Sequence, residues 1–199
     1  PLRAVEQFPR LRATLPHLAR QRLVRIRAWH RPFGSRPEEA RRVCVLLADF
    51  LRRTLVVGVR DRVPLAEELT MVEDLLAIEQ VRFGSRLRFE SQVEEAAREW
   101  LVPPLVLQPL IENAVTHGIA QCLDGGTVRL EARRRGDRLF VAIENPRGAD
   151  APPRPGTGIG LENVRRRLET LYGRDAEMRA RGEAASFRVE LELPEAAGG

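Results

Sequence analysis

The chain has 199 residues, enough for one large domain or a compact domain with a helical module. Its hydrophobic content of 43% excludes wholesale disorder, and with aromatics at only 5% a core must be built mainly from Leu, Val, Ile and Ala. The net charge is +5, and all 33 of the Lys-plus-Arg residues are arginine, whose guanidinium forks onto phosphates or carboxylates. Such a complement fits a phosphate-rich ligand, nucleic acid, or simply GC-rich codons. Basic residues are interleaved with the 28 acidic ones rather than gathered in an arm, so direct nucleic-acid binding is not expected.

Residues 1–30 read as a helix rich in Arg, Leu and Ala, broken or kinked near Pro16. Residues 31–37 form a connector. A second helix then starts with Pro37 in its first turn and Glu38 and Glu39 near its positive end. Val43, Leu46, Leu47, Phe50, Leu51 and Leu55 recur at helical spacing, and such a stripe must be buried against another helix or a second subunit. Cys44 reads as a small core residue of this helix, and Cys122 falls in a loop. The cysteines have no metal spacing, so a reducing cytosolic setting is expected. A third helix runs from Pro64 to Phe83-Gly84, with Glu67 and Glu68 in its first turn.

The character changes near residue 86, where the domain boundary is expected: 1–85 helical, 86–199 a mixed helix-and-sheet domain. Leu87, Phe89 and Ser91 begin a strand. Pro103-Pro104 opens an apolar helix through His117-Gly118. Residues 127–131 and 139–144 form a hairpin about Arg135-Gly136-Asp137. Residues 146–157, rich in proline and glycine, form a loop without core residues. A helix follows from about Gly160 to Leu171, stopped by Gly173, and a hairpin of 177–180 with 186–193 closes the chain.

Two clusters carry chemistry. In Gln108-Pro109-Leu110-Ile111-Glu112-Asn113-Ala114-Val115-Thr116-His117-Gly118, Asn113 and His117 lie one helical turn apart and share a face. An amide oxygen suits Mg²⁺, so Asn113 is the candidate metal ligand. The His117 imidazole can donate to a phosphate oxygen, and Glu112 can order a metal-bound water or act in proton transfer. The second cluster is Gly156-Thr157-Gly158-Ile159-Gly160-Leu161, followed by Glu162-Asn163-Val164-Arg165. Glycines allow close approach to phosphates, and the helix start offers free N–H donors. Asn163 and Arg165 stand in its first turns. A dinucleotide-binding motif is disfavoured because this one follows a proline-rich loop rather than the first strand of a βαβ unit.

Together the clusters resemble the N box (Glu112 to Gly118) and G2 box (156–161) of GHKL ATPases. The phrases Ile78-Glu79-Gln80-Val81-Arg82-Phe83-Gly84, Val102-Pro103-Pro104-Leu105-Val106-Leu107-Gln108-Pro109-Leu110 and Gly160-Leu161-Glu162-Asn163-Val164-Arg165-Arg166-Arg167-Leu168 are similar to LytS-type sensor histidine kinases. That resemblance implies an α+β chain: an N-terminal helical dimerisation module followed by a Bergerat-type α/β sandwich that binds ATP and Mg²⁺. It further implies a lid at 146–157, a homodimer and a response regulator, of LytTR type, as partner. Where the family places an aspartate for the adenine amino group, this chain has Asn145, whose amide oxygen still accepts one hydrogen bond; Glu144 is the fallback. The family's phosphoacceptor motif is partly kept in Leu15-Pro16-His17-Leu18-Ala19-Arg20-Gln21, which makes His17 the candidate nucleophile. The expected activity is autophosphorylation of a histidine and transfer to a response-regulator aspartate. The alternative is a nucleotide-binding pseudokinase that signals by dimerisation and conformation. No apolar run of eighteen residues is present, so this is expected to be a cytoplasmic domain. The chain starts at Pro1, not Met, so any inner-membrane anchor is expected upstream.

Overall fold

The computed structural model describes residues 37–148 and 159–195. The expected helix over 1–30, His17 and the glycine-rich residues 156–158 lie outside them. The chain divides into two compact units, Pro1–Asp61 and Arg62–Gly199.

In the first unit, helix α1 spans Pro37–Val57, opened by Pro37 with Glu38 and Glu39 in the first turn. Its buried stripe is Val43, Phe50, Thr54 and Val57, with the Thr54 hydroxyl bonded back to the Phe50 carbonyl at 2.8 Å. The helical period is as expected, and within the single chain part of the stripe is buried and part exposed. Leu51 and Leu55 are exposed, together with Val45, Val56 and Val59. Cys44 is exposed as well, not a core residue: it sits one position round from Val43, on the side that carries Leu51 and Leu55.

The second unit begins with β1 (Val63–Pro64), which pairs antiparallel with β3 (Leu101–Val102). Helix α2 (Leu65–Phe83) carries Glu67 and Glu68 in its first turn and buries Leu65, Leu69, Met71, Val72, Leu75, Leu76, Ile78 and Phe83. It ends where Gly84 takes φ +56° and returns its N–H to the Gln80 carbonyl, a backbone state that a side chain resists. The expected boundary at 85/86 grouped this helix with the N-terminal region. By its contacts the helix lies with the sheet in the second compact unit, which begins at Arg62.

Strand β2 (Leu87–Val93) runs parallel to β4 (Gly126–Arg135). The short helix α3 (Glu95–Arg98) and β3 lie between them in sequence. The expected helix from Pro103 starts later. Residues 103–107 are non-helical, with Leu105 at φ +62°, and α4 covers only Gln108–Asn113. It then widens into a π turn at Ala114–Gly118 and tightens into a 3₁₀ turn at Ile119–Gln121. The hairpin of β4 and β5 (Arg138–Pro146) is longer than expected at both ends. Helix α5 (Ile159–Tyr172), β6 (Glu177–Gly182) and β7 (Ser186–Pro194) complete the unit close to their expected positions.

The sheet order is β2-β4-β5-β7-β6, antiparallel except for β2 with β4. Strand alternation gives it two unlike faces. Leu130, Ala132, Leu139, Val141, Ile143, Val189, Leu191 and Leu193 form the buried face. The π turn after α4 packs across β4, β5 and β7 on that face. The other face is a lattice of ion pairs. Arg188 reaches Glu144 at 3.1 Å, Glu190 at 3.0 Å and Glu131 at 3.3 Å, and Arg129 reaches Glu90 at 2.9 Å. Phe140, also on that face, is buried beneath the guanidinium groups of Arg133 and Arg135, at 5.0 and 3.7 Å from its ring centre.

Candidate functional site

A six-residue helix is not stable alone, so tertiary packing must hold α4. Leu110, Ile111, Ala114, Val115 and Ile119 are all buried along it and its continuation. Each large aliphatic side chain contributes roughly 1.5–3 kcal/mol by leaving water, which outweighs propensity here. The apolar side thus turns inward and the polar residues are left outward. Asn113 is half-buried and His117 exposed. Glu112, also half-buried, accepts a hydrogen bond from Gln108 Nε2 at 2.8 Å, which fixes its carboxylate one turn from the helix start. The π turn falls on the residues between Asn113 and Gly118, and such bulges recur at functional sites.

The far end of this turn meets the end of β5. A Cβ on Gly118 would lie 2.3 Å from Asn145 Nδ2 and 2.9 Å from the Pro146 carbonyl oxygen, so only glycine fits. Asn145 is buried on the helix-facing side of β5 and donates Nδ2 to the Pro146 carbonyl at 2.8 Å. Its carboxamide oxygen is therefore the end able to accept from a ligand. Glu144 points to the opposite face and is held by Arg188. After β5, Gly148 passes close to the carbonyl of Gln121, so the chain leaves the sheet along the end of the 3₁₀ turn.

The start of α5 comes to the same place. Helix α5 packs against α4, and a Cβ added at Gly160 would lie 4.0 Å from Pro109 Cβ in the first turn of α4. The expected nucleotide residues on α5 then diverge. Asn163 is exposed, whereas Leu161 is fully buried and packs in the core with Val164 and Leu168. Arg165 turns toward β6, donating to the Met178 carbonyl at 3.3 Å and lying 3.9 Å from Glu162. Ile159 opens the helix, and residues 156–158 are outside the described residues. The structure thus brings together the ends of α4 and β5 and the start of α5. It places Arg165 and Leu161 in structural contacts. A recess of about 630 Å³ near the far end of α5, lined by Arg138, Glu169, Arg174, Glu177 and Glu192, contains none of these residues.

Sequence reasoning missed two residues behind the site. Glu68 of α2 is buried and accepts hydrogen bonds from the backbone N–H groups of Leu105 and Leu107, the latter at 3.0 Å. Arg167 of α5 donates to the Pro104 carbonyl. A glutamate in the middle of a leucine-rich helical phase, and a third arginine in a row, were the available signals. Burial pushes the Glu68 carboxyl above its ordinary value of 4.5, opposed by the amides of residues 105–107 and the charge of Arg167. Burial likewise lowers Arg167. With a raised folded value, the unfolded chain binds fewer protons than the native one just above pH 4.5. Stability should therefore fall as pH rises from there through the raised value. Glu68→Gln is expected to flatten that limb in urea unfolding measured across pH; an unchanged slope would show that Glu68 does not titrate in it.

A family model described as histidine kinase matches residues 15–87. The chain is 35% identical over 158 residues to the sensor histidine kinase BtsS of Escherichia coli K12, covering 79% of this chain and 28% of BtsS. It is 31% identical over 170 residues to the sensor protein LytS of Enterococcus faecalis, covering 79% and 29% respectively. The chain thus spans just over a quarter of the length of these curated relatives. The histidine kinase domain of the blue-light activated kinase EL346 from Erythrobacter litoralis superposes with a TM-score of 0.54 at 19% identity, over 98% of this chain and 95% of that one. The catalytic domain of histidine kinase ThkA gives 0.52 at 16%, over 67% and 94%. The fold is the GHKL kinase fold, the α+β class expected from the sequence. Among the described residues no helix is long and apolar enough to cross a membrane. Taken with the N-box and G2-box phrases, these likenesses establish that the chain belongs to the sensor histidine kinases, within their LytS-type group.

Proposed function

We propose that this chain is the catalytic region of an ATP-dependent sensor histidine kinase, which autophosphorylates on His17 and passes the phosphoryl group to an aspartate of a response regulator. The observation that carries the reading is the close approach of Gly118 to Asn145, with the start of α5 packed against the helix that carries Asn113. Asn145 would accept from the adenine amino group through its carboxamide oxygen. His117 would donate to phosphate, as would the N–H groups at residues 156–160, with Asn163 and Arg165 as further expected contacts. The neutral oxygen of Asn113, beside the half-buried Glu112, fits Mg²⁺, which takes oxygen ligands and keeps room for phosphates and water. Bound there, Mg²⁺ would neutralise the phosphate charge. Transfer itself is mostly positioning. A neutral imidazole nitrogen of His17 attacks the γ-phosphorus, the bond to the β-phosphate oxygen breaks, and ADP leaves. Glu112 orders water or takes the imidazole proton.

The exposed Leu51 and Leu55 on α1 support a homodimer as the working form. The relatives named above support a two-component partner, and the LytS likeness a LytTR-type regulator. A cytoplasmic position for this region, in a protein anchored in the inner membrane, completes the reading.

Incubation with γ-labelled ATP should give acid-labile, base-stable phosphate on the wild type and at least about a hundredfold less on His17→Ala. Equal labelling of the variant would remove His17 from the mechanism. The second reading, a pseudokinase that binds nucleotide and signals by conformation, is favoured by the carboxamide at Asn145 where the family has a carboxylate. Tight ATP binding by the wild type without any labelling would select it.

A further inference from the structure

We propose that Glu68 and Arg167 are positioning residues: they clamp the segment 103–107 from two helices and so set where Asn113 stands relative to the start of α5. The proposal rests on the ATP-site reading above.

The Glu68 carboxylate takes the N–H of Leu107, and the carbonyl of Leu107 accepts the first helical bonds of α4, from Leu110 and Ile111 at 3.0 Å each. The residue that opens the Asn113 helix is thus held directly by a side chain 39 positions away. Glu68 also takes the N–H of Leu105, the only described non-glycine residue with positive φ. A left-handed leucine persists only where its surroundings over-determine it, and the carboxylate does so here. From the other side, Arg167 donates to the Pro104 carbonyl, and its charge faces Glu68. Arg62 completes the cluster, donating to the Tyr172 hydroxyl and lying 4.4 Å from its ring centre.

Arg167 lies two turns along α5 from Gly160, and α5 packs against α4. The clamp therefore ties α2, the turn before α4 and the body of α5 into one unit. The placement of the Asn113 helix relative to the start of α5 follows from it. A plain core role would lower stability and leave the folded protein's affinity alone. A positioning role changes affinity in protein that is still folded.

The test is calorimetric binding of ADP with Mg²⁺ to the whole chain, in wild type, Glu68→Gln, Arg167→Met and Leu76→Ala. In Glu68→Gln the new side-chain amide would turn its own N–H groups toward backbone N–H donors, so one of the two bonds must be lost. Residues that orient ligand groups from behind are worth on the order of tenfold to a hundredfold in affinity. A dissociation constant raised about tenfold or more in Glu68→Gln and Arg167→Met, but unchanged in the cavity variant Leu76→Ala, is the expected result. Affinity unchanged in the first two, or equally weakened in Leu76→Ala, overturns the proposal while leaving the ATP site standing. Failure of the wild type to bind nucleotide removes the ATP site itself, and the proposal with it. If Glu68→Gln does not fold, Arg167→Met and Arg167→Lys decide the matter, since Arg167 is only half-buried and its loss opens no cavity in the sheet face. Lysine keeps the charge but not the fork, and is expected to fall between the wild type and methionine.

Discussion

Gly118→Ala is expected to destabilise the domain by about 1–3 kcal/mol, the usual cost of overpacking a filled site, and to abolish nucleotide binding. The added methyl would stand 2.3 Å from Asn145 Nδ2, with the Pro146 carbonyl oxygen 2.9 Å away behind it. Asn145 is buried on the sheet and has no solvent into which to swing. Relief therefore moves either the adenine-side carboxamide or the π turn that carries His117. The check is urea unfolding together with ADP affinity, beside Thr116→Ala, an exposed neighbour expected to stay within about 0.5 kcal/mol of wild type. Wild-type affinity in Gly118→Ala would mean that Asn145 does not serve the nucleotide.

Asn113→Ala separates chemistry from stability. The side chain is half-buried and outside the apolar packing of α4, so the unfolding midpoint should barely move. Labelling of His17 should nevertheless drop on the order of 10²–10³-fold, the range seen when one preorganised electrostatic partner of a transferring group is removed. The Mg²⁺ concentration needed for half-maximal ADP binding should rise alongside. Labelling at the wild-type rate would move the ion site away from Asn113.

Most elements were legible because their signals are local. Pro37 with Glu38 and Glu39, Gly84, and Arg135-Gly136-Asp137 each mark a boundary by their own chemistry, and α1, α2 and the β4–β5 hairpin begin or end there. Strand alternation also separated Asn145 from Glu144 correctly, one on each face. What failed depended on distant partners. Pro103-Pro104 reads as a helix opening, but Leu105, its amide held by Glu68, takes φ +62°, which no right-handed helix admits, and α4 starts only at Gln108. Nothing near residue 105 announces a carboxylate on α2. The run Arg165-Arg166-Arg167 shows the same limit. Local sequence marked all three as equivalent, yet Arg165 goes to β6, Arg166 to Glu162 and Arg167 to the Pro104 carbonyl. On α1 the apolar residues exceed one stripe, so the period alone could not say that Cys44 would be outside. The approach of Gly118 to Asn145 was not legible locally, because the two are far apart in sequence and meet only in the fold.

The sheet face opposite the helices constrains what this domain can touch. Any layer laid flat on it would have to strip Arg188 from three carboxylates and uncover Phe140, while offering those charges no water in return. That side behaves as a built-in standoff. Recognition by other proteins is thereby pushed to the helical side, the strand edges and the loops.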